Sequence, residues 1–264
     1  MARVGIIGGT GVYDPSWLMN PKEKTVDTPY GEARVIEGQL KSRPEQSLVF
    51  MNRHGIGHSV PPHQVNYRAN IWALKSLGVD RVIATAAVGS LNLAMPAGSM
   101  VLVDQFLDFT KSRPVTFFDG SDGRVIHTDM SVPYCEETRR RIQAAGARRA
   151  VSLIMGGVYV TCEGPRFETA AEIRAYRLLG GDVVGMTSVP EVVLARELGL
   201  CYVTLAMVTN FAAGISPTAL THKEVVEVMA ANVQSLREVL FEALPDVAEE
   251  YACSCPPGEP PMKA

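Results

Sequence analysis

The stretch Val65-Asn66-Tyr67-Arg68-Ala69-Asn70-Ile71-Trp72-Ala73-Leu74-Lys75-Ser76-Leu77-Gly78-Val79-Asp80-Arg81-Val82-Ile83-Ala84-Thr85-Ala86 changes its period in mid-course. Ile71, Leu74 and Leu77 recur at helical spacing and Gly78 is a helix stop, whereas Arg81 to Ala86 is an apolar run of strand length. A strand apolar on both faces is one buried between layers, as parallel strands are. The same alternation extends in both directions. Strand-like runs are expected at Arg3 to Ile7, Ser47 to Met51, Met100 to Asp104, Gly156 to Thr161, Val183 to Met186 and Cys201 to Thr209. Helical patterns are expected at Glu168 to Leu179, Pro190 to Leu198 and Thr221 to Leu244, the last opening on a capping box, Thr221-His222-Lys223-Glu224. No linker or internal repeat divides the chain, so the expectation is one α/β domain around a largely parallel sheet, residues 1–250. Residues 251–264 form a Pro-rich tail with a Cys-x-Cys, whose prolines forbid helix and suggest an extended, mobile end.

Composition narrows the function. The 264 residues carry 25 Lys+Arg against 28 Asp+Glu, a formal net charge of -3 without a basic stripe, which argues against nucleic-acid binding. No apolar run approaches the roughly 20 residues of a membrane helix, and Met1 to Gly9 is too short and too broken by glycine for a secretion signal. The expected setting is therefore cytoplasmic, without a membrane partner. In that compartment the five cysteines are expected as core filling at Cys135, Cys162 and Cys201, and as plain free thiols at Cys253 and Cys255.

Candidate chemistry collects where strands end. Gly8-Gly9-Thr10-Gly11 follows the first strand, with glycines that let amides turn toward an anion and a hydroxyl that adds a donor; a tight turn is the competing interpretation. A dinucleotide fingerprint fails, because its third small residue falls on Asp14. Arg53 and His54 leave the second strand at its carboxyl end, where open α/β sheets place ligands. The spacing from His54 to His58 includes no carboxylate or thiol, which argues against a metal site. Ala87 and Thr187 close two further strands. Phe167 and Glu168 put an aromatic ring beside a carboxylate, and Asn210 ends the last long strand on a group that both donates and accepts. Together these suit a heteroaromatic base, although Glu168 also reads as a helix-dipole residue and Asn210 as a cap.

Gly5-Ile6-Ile7-Gly8-Gly9-Thr10-Gly11, Arg53-His54-Gly55, Val65 to Leu74, Glu163-Gly164-Pro165-Arg166-Phe167 and Met186-Thr187-Ser188-Val189-Pro190-Glu191 resemble, in this order, the methylthioadenosine phosphorylase and trimeric purine nucleoside phosphorylase family. The resemblance implies a single α/β domain with a mixed, mostly parallel, barrel-like central sheet flanked by helices. It implies a homotrimer or a dimer of trimers, and phosphorolysis of a purine nucleoside without metal or organic cofactor. Phosphate would be held by Thr10, Arg53, His54, Ala86, Ala87 and Thr187, with Met186 along the ribose and Phe167 against the base. Ala86 departs from relatives that carry a hydroxyl or amide there, so its contact would be through backbone.

Within the family, Asn210-Phe211-Ala212 stands where adenine-directed members resemble Asp-Tyr-Asp, and Glu168 where they carry Ser. Both point to a 6-oxopurine, whose N1 proton Glu168 can accept and whose O6 and N7 Asn210 can reach. His222, in place of an apolar residue, resembles the histidine that binds a ribose 5′-hydroxyl; a solvent-facing first-turn residue is its alternative. The resemblance also lets His127 reach a neighbouring subunit's sugar site. The expected substrates are inosine and guanosine, with 5′-methylthioinosine or 5′-methylthioadenosine next, and a non-catalytic nucleoside-binding protein as the remote alternative.

Overall fold

The computed structural model describes residues 1–9, 12–55, 57, 59–121, 123–215 and 222–259, without the side chains of residues 222–224. Thr10, His58 and the capping residue Thr221, together with the His222 side chain, therefore lie outside the described residues.

Eleven strands form one mixed sheet: β1 (Val4–Gly8), β2 (Leu18–Thr28), β3 (Gly31–Leu40), β4 (Arg43–Asn52), β5 (Arg81–Ser90), β6 (Met100–Leu102), β7 (Gln105–Phe109), β8 (Leu153–Met155), β9 (Val158–Cys162), β10 (Val183–Gly185) and β11 (Cys201–Phe211). Among the described residues, five α-helices flank it: α1 (Tyr67–Ser76), α2 (Glu136–Arg148), α3 (Ala170–Leu178), α4 (Ser188–Glu197) and α5 (His222–Ala248). Each strand-like run and helical pattern read from the sequence corresponds to one of these elements. Among the described residues, no helix is long and apolar enough to cross a membrane.

The central strand β5 shows why both faces of the sheet are buried. Val82, Ala84, Ala86 and Val88 pack into one core cluster with residues of α1 and α4, whereas Ile83 packs into a second with residues of α2 and α5. Strand β11 alternates in the same way, with Tyr202, Ala206 and Val208 on one face and Val203, Leu205 and Met207 on the other. This two-residue period places helices on both faces.

The sheet branches at β5. One edge of β5 pairs along its length with β11, in parallel from Cys201 opposite Arg81 to Phe211 opposite Ser90. The other edge pairs with β1 from Arg81 to Ala84, and then with antiparallel β10 at Gly89 and Ser90. Between those two partners, Thr85 to Val88 lie on an edge that neither strand covers. A crevice at the carboxyl ends of diverging strands is the place where α/β sheets bind ligands.

Three elements depart from the expected run of strands. Strand β2 is mostly polar and exposed, so it carries no apolar-run signal, while its partner β3 buries only Ala33, Val35 and Leu40 among polar neighbours. The expected strand Met100 to Asp104 stops at Leu102 and the chain then switches limbs: β6 pairs with β11 and β8, and β7 pairs with β9. The described part of the tail, residues 251–259, is extended, as its prolines require, but it is packed rather than loose. The Tyr251 hydroxyl lies 2.6 Å from Thr138 Oγ1, its ring is covered by Arg81, and the Glu259 amide donates to the Glu197 carbonyl at 3.0 Å.

Candidate active site

A cavity of about 760 Å³ opens at the uncovered edge of β5. Its wall includes Thr85, Ala86, Ala87, Val88 and Gly89 of that strand, and Gly9 and Arg53 where β1 and β4 end. His54, Phe167, Glu168, Met186, Thr187, Asn210 and Ala212 line it as well. The candidate residues from five separate strand ends thus face one volume. Phe211 does not line it: that residue is half-buried and its carbonyl accepts from Asn210. His127 is exposed and lies outside the cavity of its own chain.

The cationic end is held by a buried ion pair. Arg53 Nε donates to Glu191 Oε1 at 2.7 Å, Nη2 to Glu191 Oε2 at 2.8 Å, and Nη1 to the Thr85 carbonyl at 2.8 Å. Burial by itself pulls the guanidinium's pKa down, but the charge and hydrogen bonds of Glu191 outweigh it and the net shift is upward. A guanidinium has five N–H donors, so two remain beyond these three contacts. Glu191 is also bonded by the Tyr202 hydroxyl at 2.7 Å. The neighbouring His54 directs Nδ1 to the Val60 carbonyl at 2.9 Å, which makes that nitrogen the protonated one.

The other end of the cavity is shaped by a bulge. The register of β11 against β5 runs from Val208 opposite Val88 to Asn210 opposite Gly89, so Thr209 is an extra residue. Neighbours on a regular strand point to opposite faces; the bulge lets both Thr209 and Asn210 line the cavity. Asn210 Nδ2 lies 2.9 Å from the Phe211 carbonyl, which can only accept, and Oδ1 takes the Thr209 hydroxyl at 2.8 Å. The amide orientation is thereby fixed, with one N–H left over. Gly89 leaves room for it, because a Cβ there would lie 3.3 Å from Asn210 Nδ2. Glu168 is 9% exposed, and burial pushes its carboxyl pKa above the usual value. It sits one residue before Thr169, whose capping box with Glu172 starts α3, so Glu168 lies ahead of the first turn in which a helix-dipole residue would stand.

Two functional positions escaped the sequence reading. Glu191 lies within a quoted family motif, yet nothing assigned it a role; a lone carboxylate inside Val189-Pro190-Glu191-Val192-Val193-Leu194 was the available signal. Arg113, which is buried, donates through Nη1 to the carbonyls of Met186 at 2.6 Å and Val189 at 2.9 Å, and through Nη2 to that of Glu163 at 2.6 Å. It ties the Met186–Val189 segment to Glu163, and no periodicity could have revealed it.

Residues 3–245 match the family model described as the Phosphorylase superfamily. The chain belongs to this superfamily. Among its relatives, the "Probable 6-oxopurine nucleoside phosphorylase" of Dictyoglomus turgidum is 52% identical over 253 residues, 96% of this chain and 95% of that one. The "6-oxopurine nucleoside phosphorylase" of Pyrococcus furiosus is 51% identical over 261 residues, covering 97% of each. Among solved structures, a methylthioadenosine phosphorylase from an Antarctic soil metagenomic library superposes with a TM-score of 0.89 at 36% identity, over 96% of this chain and 89% of its own.

Proposed function

We propose that the protein catalyses phosphorolysis of 6-oxopurine nucleosides, inosine and guanosine, to the free base and ribose-1-phosphate in purine salvage. The observation that carries this reading is the pairing of Asn210 and Glu168 in one cavity with Arg53 at its other end. Asn210 offers its remaining N–H to O6 or N7, and Glu168 accepts the proton on N1. Adenine has a lone pair at N1 and would meet the carboxylate with no proton between them.

Phosphate is the nucleophile. The two remaining N–H groups of Arg53, with His54, Thr187, the backbone at Ala86 and Ala87, and Thr10 from the first loop, hold it beneath C1′. As the bond to N9 breaks, the sugar becomes oxocarbenium-like and electrons flow into the purine, where the remaining N–H of Asn210 stabilises the charge at O6 or N7. Met186 flanks the ribose and Phe167 the base. Phosphate is a co-substrate, and the step uses no metal or organic cofactor. The active unit is a homotrimer acting in the cytoplasm. Its Phe167, 40% exposed, and its His127, exposed on the same chain but outside the cavity, are the groups a neighbouring subunit covers or receives.

A second reading rests on the α5 wall, where Val225, Val226, Met229, Ala230 and Val233 give the cavity an apolar side that suits a 5′-methylthio group. One assay separates the two: kcat/KM for inosine, guanosine, adenosine, 5′-methylthioinosine and 5′-methylthioadenosine at saturating phosphate. Preference for a methylthio-nucleoside overturns the ribose reading, preference for adenosine overturns the roles of Glu168 and Asn210, and no phosphate-dependent release of base leaves a binding protein.

A further inference from the structure

Four of the five cysteines converge at the end of the sheet opposite the cavity. Cys201 opens β11, beside Arg81 at the start of β5. Cys135 is buried just before α2, its amide donating to the Tyr202 carbonyl at 2.9 Å. Cys253 and Cys255 arrive from the tail, with Cys253 Sγ 3.4 Å from Cys201 Sγ. All four sulfur atoms lie within 4.8 Å of one another. Zinc–sulfur bonds of about 2.3 Å place the sulfurs of a tetrahedral tetrathiolate about 3.8 Å apart. Displacements of roughly 1 Å or less convert the observed cluster into that geometry.

Charge decides between a metal and mere thiol packing. Arg196 is 4% exposed, its Nε and Nη1 have no hydrogen-bond partner among the described residues, and its guanidinium is close enough to act on Cys255. Arg139, 7% exposed, also has an unpartnered Nε, and it is close enough to feel the charge of Cys135; its other neighbours are the Leu102 carbonyl at 3.1 Å and Asp104 at 3.8 Å. A buried, poorly paired cation costs several kcal/mol. With four neutral thiols or two disulfides, Arg139 keeps only the loose pair with Asp104 at 3.8 Å, and Nε and Nη1 of Arg196 keep no hydrogen-bond partner among the described residues. A zinc ion bound by four thiolates carries a charge of −2 and compensates them.

We propose that Cys135, Cys201, Cys253 and Cys255 form a structural zinc site that fastens the tail to the amino ends of β5 and β11. On binding, the four thiols release four protons to solvent and the metal keeps its oxidation state. Four protein ligands leave no open position, so the ion has no part in phosphorolysis. The tail is already set for it. Tyr251 lies between the guanidiniums of Arg81 and Arg141, at 3.5 and 4.2 Å from its ring centre. Gly258 and Gly199 pack so closely that a side chain on either would overlap the other's backbone.

The test uses the full chain, reduced and freed of metal by a chelator, then titrated with Co²⁺ and afterwards with Zn²⁺. The expected result is about one ion per chain, with the absorption of a tetrahedral cobalt tetrathiolate that zinc bleaches. Four thiols become unreactive toward a disulfide reagent when zinc is bound, and chelation lowers the melting temperature by about 5 °C or more. In C253S/C255S, whose changes lie on the tail, the cobalt spectrum and the chelator sensitivity disappear while kcat/KM for inosine is retained. The proposal is overturned if the protein purified without reductant contains no metal and is lighter by the four hydrogens of two disulfides. It is equally overturned if the reduced wild-type chain fails to bind cobalt tetrahedrally, or if its thiols react freely in excess zinc.

Discussion

The two ends of β11 are finished by different means. At the carboxyl end, β5 has lost its partner on one edge, a bulge turns two consecutive side chains into the gap, and hydroxyl, amide and carboxylate groups face a cavity. At the amino end, nine residues or about 30 Å away along the strand, sulfur atoms and a docked tail close the sheet. The open end keeps polar groups partly unsatisfied so that a substrate can satisfy them; the closed end has no such use for its strand ends. Substitutions at the open end should therefore alter rate and selectivity more than stability, and the reverse should hold at the closed end.

The sharpest way to break that contrast is Glu191→Ala. Glu191 belongs to the open end but is fully buried and neutralises Arg53, so its loss strands a buried guanidinium. The expected destabilisation is about 3–5 kcal/mol, read from denaturant unfolding, together with weakened phosphate saturation in the surviving folded enzyme. Unchanged stability would mean that phosphate or solvent already compensates Arg53. Next in size is Asn210→Asp, which replaces a donor by an acceptor while leaving the packing intact. Loss of one donor aimed at developing charge lowers kcat by about 10²–10³, so inosine turnover should fall by that factor and adenosine should gain relative to it. Intact inosine kinetics would remove Asn210 from the base site.

Glu168→Gln should move rate and stability in opposite directions. Burial raises the pKa of the folded-state carboxyl, so its ionised form is penalised on folding. That group's contribution is greatest below the pKa of the unfolded chain and declines as pH rises through the raised folded value. At neutral pH the neutral glutamine removes the penalty and the melting temperature rises. Catalysis shows the reverse trend, because N1–H requires the carboxylate: kcat/KM for inosine should fall about 10- to 100-fold. The wild type should also lose activity on acidification at a pH above the ordinary carboxylate value, and the variant should lack that limb. A variant that is less stable, or a pH profile identical to wild type, would place Glu168 outside the base contact.

The sequence exposed the open end more fully than the closed one, and the reason is physical. Arg53, Thr187 and Asn210 each end an apolar strand, and strand ends can be read from a two-residue period and a change in polarity. What joins them is tertiary: the separation of β1 from β10 along β5, and the bulge at Thr209, depend on registers that no local pattern encodes. Arg113 and Glu191 work through contacts 50 or more residues away and carry no local signal. Cys135, Cys201, Cys253 and Cys255 have no ligand-like spacing beyond the Cys-x-Cys, so they read as core and tail, and only the folded-back tail brings them together. The exposed strand β2 shows no apolar run because most of its side chains are charged or polar.

The smallest expected effect concerns the 5′ end of the sugar, where a single group is proposed to separate the substrate classes. The α5 wall offers Val225, Val226 and Met229, which accept a methylthio group as readily as they flank a ribose. His222, at the start of α5 and about one turn before Val225 and Val226, is the residue proposed to meet a 5′-hydroxyl. Removing one such contact, or adding one methylene-sized contact in its place, changes discrimination by about 1–3 kcal/mol, or 10- to 200-fold. His222→Met should therefore weaken inosine kcat/KM toward the lower end of that range while sparing or improving 5′-methylthioinosine. The base contacts are shared by both substrates, so the ratio of the two rates isolates the sugar end from Asn210 and Glu168. A ratio that stays at the wild-type value would show that the apolar wall alone reads the 5′ position, and that the two substrate classes are separated elsewhere.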